Sequence, residues 1–192
     1  MKNNKKEILK HLPAGRQGVQ DDKREIASSP APRNDKKEKF VLVLPDIRSG
    51  HNVGAMFRTA DAIGVDKIYL TGYTSEPSHP HVAKVSLGAE QWIPWEKYKQ
   101  TGRLLTQLKK KGYNIVALEQ TKMSVDIFKW RPKFPLALVV GNEVRGVEKK
   151  FLKLCDTHVE IPMVGRKESL NVSIASGIAM YHIGNSRFKN GY

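Results

Sequence analysis

The sequence predicts an α/β fold, a mostly parallel β-sheet flanked by helices, and three observations carry that reading. Short runs rich in apolar and β-branched residues recur from Phe40 onward. Helix-like stretches alternate with them, as in a parallel sheet built from strand–helix units. The runs are nearly all apolar rather than alternating, which suits strands covered by helices on both faces.

Taken in order, the first strand is expected at 40–45, followed by a helix at 53–63 and a strand at 67–71. A helix at 100–111 places Leu104, Leu105 and Leu108 on one face. Its C-terminal end carries Lys109 to Lys111, where the helix dipole favours cations, and Gly112 is its stop signal. Strands at 114–119 and 136–141 follow, then a helix at 147–154, a strand at 158–162 and a final helix at 170–185. No internal repeat interrupts this series.

Composition bounds the function. The 192 residues allow one ordinary domain, or a domain with a tail, and exclude two large ones. Cys155 is the single cysteine, so an internal disulfide and a Cys-rich zinc site are both excluded and a reduced, cytoplasmic protein is the default expectation. The longest apolar runs fall far short of the roughly 20 residues that cross a bilayer, and the N-terminus has no apolar core of a signal peptide. Lys and Arg number 33 against 19 Asp and Glu, a formal charge of +14. Such a surplus suits a polyanion, because cations that neutralise phosphates release condensed counterions.

Composition shifts near residue 39. Residues 1–39 hold eleven Lys/Arg and six Asp/Glu, with Pro, Gly and Ser in the middle, too little apolar surface to offset ordering entropy. They read as a flexible basic low-complexity tail with a short helix at 5–11, either an RNA-holding arm or an inessential extension. The remainder, 40–192, reads as the single folded domain and keeps a surplus of 22 Lys/Arg over 13 Asp/Glu.

Three segments put polar residues where such a fold places its chemistry, in loops after the C-terminal ends of strands. The first, 46–60, contains Asn52, Gly54, Ala55 and Arg58. Asn52 is a good N-cap, and Gly54 and Ala55 allow close approach of a neighbouring helix. Asn52 as plain cap and Arg58 as ordinary surface arginine remain open alternatives to a functional role. The second, 138–147, leaves a strand through Gly141, Asn142, Glu143 and Gly146. It superficially resembles a P-loop but lacks the Lys and Ser/Thr that hold phosphate and magnesium, so an NTPase is excluded; no G-x-G-x-x-G fingerprint is present either. The third, 161–175, turns at Gly165; Ser169 is a plausible cap, whereas Asn171 in a first turn is a poor choice for helix propensity alone.

Together these segments resemble the signature of the SpoU/TrmH-type RNA 2′-O-ribose methyltransferases of the SPOUT superfamily. The resemblance runs through Asn-Val-Gly-Ala-Met-Phe-Arg-Thr-Ala (52–60), Gly-Asn-Glu-Val-Arg-Gly-Val (141–147), Ile-Pro-Met (161–163) and Ser-Leu-Asn-Val-Ser-Ile-Ala (169–175), with Ser86 to Ala89 similar to a further family segment. It spans about 40–185 in family order, and three motifs in register make it specific.

The resemblance implies a C-terminal trefoil knot and S-adenosylmethionine as cofactor, with no metal. The cofactor would lie against Leu138, Val140, Gly141, Asn142, Gly146, Ile161, Met163, Ser169 and Leu170. It implies methyl transfer to a ribose 2′-hydroxyl of tRNA or rRNA, with Arg58 as the activating group and Asn52, Glu143, Ser169 and Asn171 arranging it. An arginine stays protonated under ordinary conditions, so a cation stabilising a developing alkoxide is physically easier than a literal base. It further implies a homodimer, with Ile174, Ile178 and Met180 of the last helix as interface candidates and core packing as their alternative. Candidate RNA contacts are Arg48, His51, Arg145, Arg166 and Lys167. Two other readings keep the fold: methylation of an RNA base, or a catalytically retired RNA-binding factor.

Overall fold

The structure, a computed structural model, describes residues 39–189. Apart from Lys39, the expected tail and its short helix lie outside the described residues. The elements are β1 (Phe40–Pro45), α1 (Gly50–Ile63), β2 (Lys67–Thr71), α2 (Pro80–Ser86), α3 (Ala89–Trp92), β3 (Trp95–Tyr98), α4 (Thr101–Lys110), β4 (Asn114–Leu118), β5 (Val125–Asp126), β6 (Leu136–Val140), α5 (Lys149–Leu152), β7 (Thr157–Glu160) and α6 (Val172–Lys189). The strands form one sheet in the order β3-β2-β1-β6-β4-β7-β5, and every neighbouring pair is parallel.

The all-apolar strands are explained by burial on both faces. Along β1, Phe40, Leu42 and Leu44 join a core cluster with α1 and α6, while Val41 and Val43 point to the other face and pack with Leu104, Leu105 and Leu108 of α4. β6 is at the centre, and all five of its residues are fully buried. Two strands and two helices were not expected from the sequence. β3 reads Trp-Glu-Lys-Tyr at one edge, and β5 is two residues long at the other; an edge needs no continuous apolar run. α2 and α3 are short turns of helix between β2 and β3. The segment expected as a helix at 147–154 shortens to α5, and the last helix begins at Val172 rather than 170.

Close packing of α1 fixes the frame of the site. A Cβ at Gly54 would lie 2.6 Å from the Val82 carbonyl oxygen and 3.2 Å from the Ser86 backbone nitrogen, so only glycine lets α2 seat against α1. On its other side α1 meets α6, whose Arg187 is 4% exposed. Arg187 donates to the Gly64 carbonyl at 2.9 Å and pairs with Asp66 at 3.2 Å, and Asp66 accepts the Phe40 N–H at 2.7 Å. The end of the last helix is thereby tied to the start of the first strand.

Candidate active site

Loops after β1, β6 and β7 meet at the C-terminal edge of the sheet. The chain leaves β1 through Asp46, whose φ of 53° is left-handed, a conformation aspartate tolerates better than most residues. The Asp46 carboxylate accepts the Tyr73 N–H at 3.0 Å. Helix α1 then starts earlier than expected: Ser49 is the N-cap, and its hydroxyl accepts the Asn52 N–H at 3.4 Å. Asn52 therefore lies inside the first turn rather than capping it, and its side chain is left for another partner.

That partner is Glu143. Its carboxylate accepts the N–H groups of Arg48 and Ser49, each at 3.0 Å, and the Asn52 side-chain amide at 2.9 Å. Partial burial pushes this carboxyl up. The N–H of Arg48, the Asn52 amide, the N–H of Ser49 and its own backbone N–H outweigh that and hold it below its ordinary value. Glu143 is thus an anion clamped onto the entrance of α1.

The loop that carries Glu143 is closed by reciprocal backbone bonds. Asn142 N–H donates to Gly146 at 3.0 Å and Gly146 N–H to Asn142 at 2.9 Å, while the Asn142 side-chain oxygen accepts the N–H groups of Val144 and Arg145. The Asn142 side-chain amide donates to the Asp46 carbonyl and to the Tyr73 hydroxyl. Gly146 sits at φ 62°, and a Cβ there would overlap the Glu119 carboxylate. A Cβ at Gly141 would meet the Gly146 backbone at 2.8 Å. Glu119, at the end of β4, accepts the Val147 N–H at 2.6 Å and so pins the loop from below.

The third loop corrects a second cap. Asn171, not Ser169, heads α6: its carbonyl accepts the Ala175 N–H at 2.9 Å and its side-chain oxygen accepts the Ser173 N–H at 2.8 Å. Its poor helix propensity therefore needs no further explanation. The free Asn171 amide donates to the Asn52 side-chain oxygen at 3.2 Å. Asn52 consequently bridges all three segments, giving a hydrogen to Glu143 and accepting one from Asn171.

Beside this network opens a cavity of about 440 Å³. Of the residues expected around a cofactor, Val140, Gly141, Asn142, Gly146, Ile161, Met163, Ser169 and Leu170 line it. Leu138 does not. It lies in the middle of β6, beside Leu42 and Val116 and fully buried, because only the end of that strand reaches the cavity. Glu143 and Asn171 also line it. Sequence reasoning missed Leu118, Glu119, Gln120, Glu160 and Glu168, which also line it. The end of β4 was a legible strand, but nothing in its sequence said that it neighbours β6 and β7.

Arg58 stands apart. It is exposed on α1, with no hydrogen bond or ion pair among the described residues. Six helical residues separate it from Asn52, about 9 Å along the axis and about 120° around it, so the two do not share a face. Arg48, His51, Arg145, Arg166 and Lys167 are all exposed around the loops. Among the described residues no group of His, Cys, Asp and Glu side chains could hold a metal ion.

A wholly parallel sheet with a polar network and a cavity at its C-terminal strand ends defines the class of α/β proteins that hold small ligands between such loops. The chain belongs to the SpoU rRNA methylase family, whose profile matches residues 39–181. It is 35% identical over 159 residues to the tRNA (guanosine(18)-2′-O)-methyltransferase of Aquifex aeolicus, covering 82% of this chain and 74% of that one. It is 35% identical over 142 residues to the 23S rRNA (guanosine-2′-O-)-methyltransferase RlmB of Ralstonia nicotianae, covering 74% of this chain and 57% of the relative. An AdoMet-bound rRNA methyltransferase from Sinorhizobium meliloti superposes with a TM-score of 0.73 at 29% identity, over 82% of this chain and 60% of that one. The chain thus spans under two thirds of the length of several relatives.

Proposed function

We propose that this protein transfers a methyl group from S-adenosylmethionine to a ribose 2′-hydroxyl of tRNA or rRNA. The observation that carries the reading is the network in which Asn52 joins Glu143 to Asn171 at the mouth of the cavity. The named activities of the Aquifex and Ralstonia relatives support it.

The cavity fits the cofactor chemically. Leu118, Val140, Ile161, Met163 and Leu170 offer an apolar wall for an adenine, and Glu119, Glu160 and Glu168 offer negative charge to a ligand bearing a sulfonium and an ammonium. When bound, S-adenosylmethionine supplies an already activated methyl electrophile. The protein's own task is to hold the hydroxyl in line and to stabilise the negative charge that develops on its oxygen as its proton passes to solvent. Asn171 and Ser169 line the cavity and Asn52 backs Asn171, while Glu143 fixes Asn52 rather than abstracting a proton, since its lone pairs already accept three N–H groups.

Arg58 serves as the cation that steadies the developing alkoxide and the neighbouring phosphate. Its distance from the network within one chain is what a site completed by two subunits requires, and a homodimer is part of this reading. The exposed face of α6 supports it: Ile174 is 56% and Tyr181 52% exposed, with Ile178 half-buried between them. Met180 is withdrawn from that face, being fully buried in the core. The fold reading includes a C-terminal trefoil knot, which the family membership supports, and the setting is the cytoplasm, where such RNAs are found.

The test is calorimetric titration with S-adenosylmethionine together with transfer of labelled methyl groups into tRNA and rRNA. Binding with transfer supports the reading; binding with label in the bases moves the acceptor; no binding favours a retired RNA-binding factor.

A further inference from the structure

Three histidines converge beside the network although they come from two separate segments. His51 follows the N-cap of α1, and His79 and His81 flank the start of α2. The His51 and His81 ring centroids are 4.6 Å apart and those of His79 and His81 are 5.3 Å apart, and all three residues are exposed. Glycine brings them together: a Cβ at Gly50 would lie 3.1 Å from the His81 Cβ and 3.2 Å from the His79 Nδ1. Gly54, one turn on, keeps the two helices in that contact.

The chemistry of the cluster points to an anion. His79 Nδ1 accepts the His81 N–H at 3.3 Å, which leaves the proton of a neutral His79 ring on Nε2 as an outward donor. Arg48 is exposed three residues before His51, with its side chain unpaired among the described residues and its backbone fixed by Glu143. The three rings do not form a metal site. His51 lies in the first turn of α1, between Ser49, whose N–H bonds Glu143, and Asn52, so the cluster sits at the same helix entrance that the network clamps.

We propose that His51, His79 and His81, with Arg48, form a phosphate-binding cluster that seats the RNA backbone beside the nucleotide being methylated. This rests on the RNA methyltransferase reading above. It assigns His79 and His81 to substrate positioning, which neither their sequence context nor the family motifs indicate.

The test compares the full chain with its His79→Gln/His81→Gln variant and with His81→Arg and His81→Phe. RNA binding is read by fluorescence anisotropy against salt, turnover by methyl transfer, and cofactor affinity by calorimetry. In the double variant the RNA dissociation constant and KM rise about tenfold and kcat at saturating RNA holds. His81→Arg binds at least as well as the wild type. RNA binding and KM unchanged in the double variant, with the wild type active, overturns the cluster. Binding kept by His81→Phe but lost by the double variant overturns the phosphate assignment in favour of base stacking. A wild type that binds RNA and transfers nothing defeats the methyltransferase reading instead, while anisotropy still decides the cluster.

Discussion

Asn52 carries more of the site than its helix position suggests. With both ends of its amide engaged, one with Glu143 and one with Asn171, its removal uncouples three loops at once. Asn52→Ala is expected to lower turnover roughly 10- to 100-fold, the usual cost of losing an orienting partner, with cofactor affinity within about twofold. Steady-state kinetics beside calorimetry checks this. Glu143 gives a pH prediction. Because its folded value is depressed below the ordinary 4.5, its contribution to stability is full above that value and is lost as pH falls through the folded value. The melting temperature of Glu143→Gln should therefore lie below that of the wild type at neutral pH and converge with it as pH falls through the depressed folded value. A constant gap across that range would contradict the clamp. The motifs made Asn52, Glu143 and Asn171 legible in the sequence, but not their bonds. Ser49 and Asn52 are both good caps, as are Ser169 and Asn171. In the first pair Glu143 takes the Arg48 and Ser49 N–H groups and the Asn52 amide from the neighbouring loop, and in the second Asn171 meets Asn52, and both are tertiary information.

At the level of elements, the helix–helix contact through Gly54 is the most exposed to test. Gly54→Ala forces a Cβ against backbone rather than a flexible side chain, so it should cost about 1–3 kcal/mol despite the better helix propensity of alanine. Chemical denaturation measures it, and an unchanged or raised midpoint would show that α1 and α2 can separate. The turn after α5 offers another prediction. Burial, with Asp156 adding to it, pushes the Cys155 thiol up to about 12, and its sulfur lies 3.3 Å from the Phe151 carbonyl. The thiol is therefore protonated at pH 8, and a thiol reagent should react slowly with the native protein and rapidly after unfolding. Fast stoichiometric labelling of the folded chain would refute this. Strands β1, β2, β4 and β6 were readable because double-sided burial demands long apolar runs. β3 and β5 were not, since edge strands escape that demand.

For the molecule as a whole, the proposed dimer would make the assembly part of the chemistry, because Arg58 stands apart from the network within one chain. Arg58→Ala and Asn52→Ala, each impaired alone, should regain activity when co-expressed as mixed dimers, because one composite site then holds neither substitution. No recovery in proven mixed dimers would place the whole site within one chain. Ile174→Glu should give a monomeric mass with little loss of cofactor binding, as seen by light scattering and calorimetry; a stable dimer would remove α6 from the interface. The parallel sheet and its active edge could be inferred from pattern alone. The strand order could not, because alternation of strands and helices does not say which strands are neighbours; it is the insertion of β6 between β1 and β4 that brings residue 143 to residue 52. The central claim is that this edge methylates ribose. The most direct measurement incubates the purified protein with S-adenosylmethionine and unmodified tRNA or rRNA, digests the RNA, and quantifies 2′-O-methylated nucleosides by mass spectrometry. The account predicts a ribose-methylated nucleoside from one RNA pool that forms at a roughly 10- to 100-fold lower rate with Asn52→Ala; methylated bases, or no product from either pool with cofactor bound, would contradict it.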